Sequence, residues 1–147
     1  MPIHITHETV AESPVDQVFA YVADYRNAGH WLSGVKSFTP VGDLDYGLHS
    51  VFDAALSVGV TTLHSTVKVI DFAEGKSMEL DSIKGFKNQS RWSFNAEGAD
   101  RTRIVAEITY ELPGGVAGRA MGKVIEPLIA LIIKHSSDNL AKHFAAA

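Results

Sequence analysis

The chain has 147 residues, 46% hydrophobic and 20% charged, which is enough apolar surface for one domain with a real core and excludes a disordered chain. Its formal net charge is −4 and its thirteen Lys and Arg are scattered, whereas nucleic-acid binders gather positive charge into a patch, so no nucleic-acid partner is expected. Cysteine is absent, which excludes disulfides, thiolate nucleophiles and Cys-ligated metal centres together.

Residues 3–12 alternate loosely and predict a first strand. Met1-Pro2-Ile3-His4 runs into it without the basic and apolar regions of a signal peptide. The longest apolar run, Leu128 to Ile133, falls far short of the ~20 residues that cross a bilayer. A cytoplasmic protein without membrane insertion is the expectation. Ser13 as N-cap, Pro14 at the first helical position and Asp16 three residues after the cap then signal a helix. Val15, Val18, Phe19 and Val22 follow at helical spacing. Asp24 and Asn27 offer a break and a new cap, and a second short helix through Ala28 and Trp31 ends near Ser33-Gly34.

From Val35 to Leu112 the pattern changes to strands and turns. Strands are predicted at Val35–Val41, His49–Val58, Thr61–Phe72, Ser77–Ile83, Ser90–Ala96 and Thr102–Leu112. The connections are short and rich in Gly, Asp and Asn, so consecutive hairpins and an antiparallel meander are expected. On the last strand Ile104, Ala106, Ile108, Tyr110 and Leu112 share the inward side, and on the one before it Trp92, Phe94 and Ala96 share a side.

Pro113-Gly114-Gly115 ends the strands, and 117–144 reads as one long helix. At ~100° per residue, Met121, Val124, Ile125, Leu128, Leu131 and Ile132 share a face that Ile129, Ile133, Leu140 and Phe144 widen. Lys123, Glu126, Ala130, Lys134, Ser137 and Ala141 form the opposite ridge, and Pro127 should bend the helix. So wide an apolar face must be covered by the sheet.

The order of elements is similar to the helix-grip arrangement of the START-like, or polyketide cyclase/dehydrase-like, superfamily. Ser13 to Asp24 resembles its first helix, and Asp24 with Trp31 resembles its aspartate–tryptophan feature. Val41-Gly42 with Gly47, Val67–Phe72 followed by Gly75, and Thr102-Arg103-Ile104 resemble later turns and strands. The resemblance covers essentially the whole chain and implies a single α+β domain over 1–147. In it a curved antiparallel sheet of about seven strands wraps around the long C-terminal helix, with two short helices between the first and second strands. It also implies a cavity under the helix that takes a small hydrophobic molecule, lipid-, polyketide- or isoprenoid-like.

On this reading Trp92, Phe94, Ile108, Tyr110, Leu128 and Ile132 line the pocket, with Trp31 near its helical rim. The competing account is that Trp92 and Tyr110 merely fill the core. His135, Ser136, Asn139 and His143 fall on the inward helix face, where they either meet a ligand's polar group or lie past the sheet in water; Asn139 is the candidate ligand contact. An enzyme reading, a cyclase or dehydratase of lyase or isomerase type, needs an acid/base group inside the pocket. His64 is first in line, because His titrates near neutrality, with Asp53 on the neighbouring strand as its companion. Neither facing is decided by alternation. A third reading is an interaction module that docks a partner or a second copy as a homodimer. The seven histidines form no H-x-H or H-E-x-x-H motif, so neither a metal nor another cofactor is expected. Gly114 to Lys123 fails the phosphate-loop pattern, with Val124 where Ser or Thr belongs, and is read as a flexible gate at the pocket mouth.

Overall fold

A computed structural model describes residues 2–111 and 115–145, with side chains from Ile125 onward in the second segment. The expected placements of Leu112, Pro113 and Gly114, and of the Met121, Lys123 and Val124 side chains, lie outside the described residues.

Strand β1 (Ile3–Ala11) leads into helix α1 (Val15–Ala23), which buries Val18, Phe19 and Val22 as its spacing predicts. Its start differs from expectation by one residue. Pro14 has extended dihedrals (φ −59°, ψ 147°) and takes the N-cap position, and its carbonyl accepts the N–H groups of Gln17 and Val18, both at 3.1 Å. Ser13 therefore stands one residue too early to cap, and its hydroxyl donates to Gln17 Oε1 at 3.1 Å.

A 3₁₀ turn (Tyr25–Asn27) and the short helix α2 (Ala28–Trp31) carry the chain across one end of the sheet. Asp24 caps the 3₁₀ turn by accepting the Arg26 N–H at 3.0 Å. The Arg26 guanidinium hydrogen-bonds the same carboxylate and holds it below the usual carboxylate range. Gly34 then turns the chain at φ +80°, where an added Cβ would stand 2.9 Å from the Ser57 carbonyl oxygen, so only glycine fits.

The strands β2 (Val35–Pro40), β3 (Val51–Val58), β4 (Thr61–Ala73), β5 (Ser77–Gly85), β6 (Lys87–Ala96) and β7 (Thr102–Glu111) follow. All neighbours pair antiparallel, in the order β1-β7-β6-β5-β4-β3-β2. The result is a curled seven-stranded half-barrel, an α+β helix-grip fold. Register shifts between Thr66 and Val67 and between Val69 and Asp71 bend β4, which sharpens the curl.

Helix α3 (Gly115–His143) fills the half-barrel. It begins before the expected Ala117, so residues 115–122 are helix rather than a flexible gate. It also runs on through Pro127, which sits on its exposed side. Two helix-face expectations are corrected: Leu131 is 46% exposed, and Ser137 is 3% exposed. Apolarity alone centres the face near Leu128 and Leu131. The sheet instead meets Ile125, Ile129, Ile133, Ser136 and Leu140, at i, i+4, i+8, i+11 and i+15, and small serines let the helix approach closely.

The core has unequal parts. Around α1, the Phe19 ring stands edge-on to Phe72 (5.4 Å) and Phe94 (5.2 Å), with Val18, Ile104, Ala106 and Leu140 closing the cluster. Under α3, Val58, Tyr110, Ile125, Ile129 and Ile133 form a second cluster, and Phe52, Val67 and Val69 form a third on the β3–β4 face.

Candidate functional site

Between these clusters lies a cavity of about 230 Å³. Strand alternation supplies its walls. Phe52, Ala54 and Leu56 face it from β3, Leu63, Ser65 and Val67 from β4, Asn88, Ser90 and Trp92 from β6, and Ile108 and Tyr110 from β7. Ile129, Ile132, Ile133 and Ser136 close it from α3, and Tyr25, Ala28 and Trp31 from the short helical segment. The space stays open because many of the inward side chains are small. Ala54, Ser65, Ser90 and Ser136 stop short of one another, where α1 elsewhere inserts Phe19.

The end toward β2 and β3 is aromatic. Phe38 stacks on Phe52 with centroids 5.0 Å apart, and Tyr25 lies 5.7 Å from Phe52. On another wall Trp31 stands edge to face against Trp92 at 5.2 Å. The end toward β6 and β7 is polar, since Asn88 and Tyr110 are paired neighbours and Ser90 lies two residues along on the same face. Two buried polar atoms in the walls, Trp31 Nε1 and the Tyr110 hydroxyl, have no hydrogen-bond partner among the described residues. Unpartnered buried donors are uncommon in folded proteins.

The loop 41–50 carries Tyr46 and Gly47 to the cavity's rim. Tyr46 packs edge-on against Phe72 (5.3 Å), and its hydroxyl donates to the Glu74 carboxylate at 3.0 Å. Burial, and then the Glu74 hydrogen bond, push the Tyr46 phenol up to about 12. Burial and then the charge of Glu126 push the Tyr110 phenol up as well. Among the described residues the walls include no carboxylate, ammonium, guanidinium or imidazole, and their titratable groups are tyrosines.

Of the residues expected to line a pocket, Trp31, Trp92, Ile108, Tyr110 and Ile132 do so. Phe94 does not, because Phe19 covers it. Leu128 packs instead over Gly59, where an added Cβ would lie 3.1 Å from its Cδ1. Asn139 is turned to structural use, its Nδ2 donating to the Trp31 carbonyl at 3.1 Å and so bracing α2 against α3. The two acid/base candidates lie on the outer face. His64 is exposed between inward Leu63 and Ser65, and Asp53 is exposed and accepts the Thr66 hydroxyl at 2.7 Å. They are not paired either, since Asp53 stands opposite Thr66 and His64 opposite Ala55. Of the helix residues, Ser136 is buried, His135 is exposed, and His143 stacks on Tyr21 at 4.0 Å.

Sequence reading missed Tyr25, Phe38, Phe52 and Tyr46. For Phe38 the signal was present, since its strand alternates and it pairs with the inward Ala54; Phe52 lies on β3, whose mixed composition hides its facing. Tyr46 sits in an irregular loop, where alternation carries no information. Among the described residues no group of three or more His, Asp or Glu is arranged to hold a metal ion, and no helix is long and apolar enough to cross a membrane.

Residues 2–145 match the family model for polyketide cyclase / dehydrase and lipid transport proteins. The chain belongs to that family. Its fold is shared with solved structures of low sequence identity. The protein TTHA0849 of Thermus thermophilus superposes with a TM-score of 0.83 at 19% identity, over 97% of each chain. The Zhui aromatase/cyclase of a Streptomyces species gives 0.77 at 12% identity, covering 99% of this chain and 98% of that one. A START superfamily protein of Mycobacterium smegmatis gives 0.75 at 16% identity, over 96% of each. No curated protein sequence matches the chain. Family membership supports a role in hydrophobic-ligand binding or cyclase-type chemistry.

Proposed function

We propose that this family member binds a small apolar or aromatic molecule in the cavity between its sheet and α3. The observation that carries the reading is the cavity itself: about 230 Å³ left open, with largely apolar walls, beside a tightly packed core. An apolar cavity of ~150 Å³ is enough for a benzene ring, so this one suits one or two rings or a short branched chain. A dry cavity forfeits contacts on every wall, and a fitting apolar ligand restores them.

The cyclase alternative draws on the family and on the fold shared with an aromatase/cyclase. Against an acid/base version stands the outward placement of His64 and Asp53. Tyr110 and Tyr46, with phenols raised by burial, stay protonated near neutrality, where they are weak acids and offer no base, and the Tyr46 hydroxyl is already bonded to Glu74. Cyclisation here would rest on holding a reactive chain in a productive shape.

The chain's two tryptophans, Trp31 and Trp92, both line the cavity, so indole emission reports on its occupancy. Titration with a bicyclic hydrocarbon such as tetralin should change that emission saturably. Ala54→Leu should abolish the change while leaving stability within about 1 kcal/mol, because the added carbons enter empty space. Unsaturable binding, or equal binding by the variant, would remove the cavity as the binding site. Mass spectrometry of the natively purified chain would identify a retained molecule.

A further inference from the structure

We infer that the ligand is neutral and two-ended, with a hydrogen-bonding oxygen seated at the Tyr110–Asn88–Ser90 corner and an apolar end against Phe38 and Phe52. The inference rests on the cavity-binding reading above and narrows it to a chemical class: ketones, alcohols or phenols of one or two rings.

The argument starts from the asymmetry of the walls. Asn88 on β6 and Tyr110 on β7 are directly paired, and Ser90 is two residues along β6 on the same inward face. Paired residues on one face have Cβ atoms about 5 Å apart and diagonal ones about 7 Å. The Asn88 amide and Ser90 hydroxyl therefore sit close to the sheet, and the Tyr110 hydroxyl stands off it by the length of its ring, toward α3. The opposite end, where Phe38 stacks on Phe52, presents mainly rings; its hydroxyls are those of Tyr25, Ser65 and Ser50, the last of which donates to the Gly47 carbonyl.

The Tyr110 hydroxyl strengthens the case. The residue is 2% exposed and its hydroxyl has no partner among the described residues, although a buried phenol normally finds one. Asn88 does have a local bond, its Nδ2 donating to the Phe86 carbonyl at 2.8 Å, which leaves its side-chain oxygen for another donor. A phenylalanine would fill the Tyr110 position with the same ring and no orphaned hydroxyl. A ligand acceptor supplies the missing partner.

Charge and size set the limits of the class. The described walls hold no cationic group to meet a carboxylate or phosphate and no carboxylate to meet an amine. Moving an unpaired ion into such a site is strongly unfavourable. At about 230 Å³ the space falls below the ~300–1,000 Å³ typical of drug-sized ligand pockets, so it matches one or two rings better than three or more fused ones.

The test compares one skeleton in three forms, measured by calorimetry on the full chain: tetralin, 2-tetralone and the carboxylate of tetrahydronaphthoic acid. The ketone should bind at least as tightly as the hydrocarbon despite its larger desolvation cost, and the carboxylate at least tenfold more weakly. Tyr110→Phe and Ser90→Ala should each weaken 2-tetralone about tenfold and leave tetralin within twofold, as expected for losing one hydrogen bond. Thermal unfolding is the control for folding: Tyr110→Phe should not lower the Tm, since the hydroxyl it removes has no partner among the described residues. Three results overturn the inference while leaving the cavity reading intact: tetralin binding tenfold tighter than the ketone, both ligands weakened equally by the variants, or the carboxylate binding as well as the ketone. If none of the three compounds binds, the cavity reading itself fails.

Discussion

The two ends of the sheet were built by the same rules and came out differently. Around α1 the inward side chains are long, and Phe19 bridges Phe72 and Phe94 with ring contacts near 5 Å, leaving no room. Toward β2–β4, the start of β6 and the middle of α3 the inward positions include Ala54, Ser65, Ser90 and Ser136, and about 230 Å³ is left open. Both ends alternate inward and outward along every strand. What separates a packed core from a cavity is therefore the summed volume at inward positions, while their pattern is shared.

The largest way to break that contrast is to hollow the packed end. Phe19→Ala should cost about 3–5 kcal/mol in chemical denaturation, because the Phe72 and Phe94 rings around it cannot collapse into the gap. A cost below about 1 kcal/mol would show that this end is as loosely filled as the other. A smaller effect is expected where the hollow end is pinned to the short helices. Ser136 Oγ accepts the Ser33 N–H and donates to the Ile132 carbonyl, each at 2.8 Å. Ser136→Ala orphans the first of these, so a loss of about 1–2 kcal/mol is expected by the same measurement, with a faster release of bound tetralin.

The smallest effect is a pH dependence. Beside α1 burial raises the Tyr21 phenol, and at the hollow end it raises those of Tyr46 and Tyr110, Tyr46 to about 12. The folded state thus favours the protonated form. Its contribution is complete below the ordinary tyrosine value near 10 and is lost as pH climbs from there through about 12. Urea melts between pH 9 and 12 should show stability falling across that window, and Tyr46→Phe and Tyr110→Phe should each flatten part of the fall. An unchanged slope in both variants would place the alkaline transition elsewhere.

Much of this architecture can be read from the chain before any coordinates. The alternation of Ile104, Ala106, Ile108 and Tyr110 is clean because β7 is paired on both sides without a register shift, and its inward set is buried or cavity-lining as expected. His64 and Asp53 are harder. Polar, apolar and small residues mix along β3 and β4, so the parity of the strand cannot be fixed by composition. Leu131 and Ser137 mislead for a different reason. A helical wheel weighted by hydrophobicity finds the greasiest side, whereas the buried side is the one that fits the sheet, and a serine fits where a leucine would hold the helix off. Tyr46 was beyond reach because its place depends on three left-handed residues in its loop, Gly42, Gly47 and, unusually, His49 at φ +75°. Asn139 shows the converse error, a polar residue on an inward face that serves the backbone of Trp31.

The sheet order also bears on how the chain is made. Strand β1 is synthesised before the other six strands, yet among them it pairs with β7 alone, whose first residue, Thr102, follows some ninety residues later. At ribosomal rates of about 5–20 residues per second, β1 waits several seconds with its backbone groups unpaired while the β2–β6 meander can already assemble beside it. His4 between Ile3 and Ile5, and the polar run Thr6-His7-Glu8-Thr9 before Val10, keep the waiting strand from being a continuous apolar edge. The earliest-made strand of the sheet thus pairs only after its six successors exist, and α3, made later still, then fills the closed half-barrel.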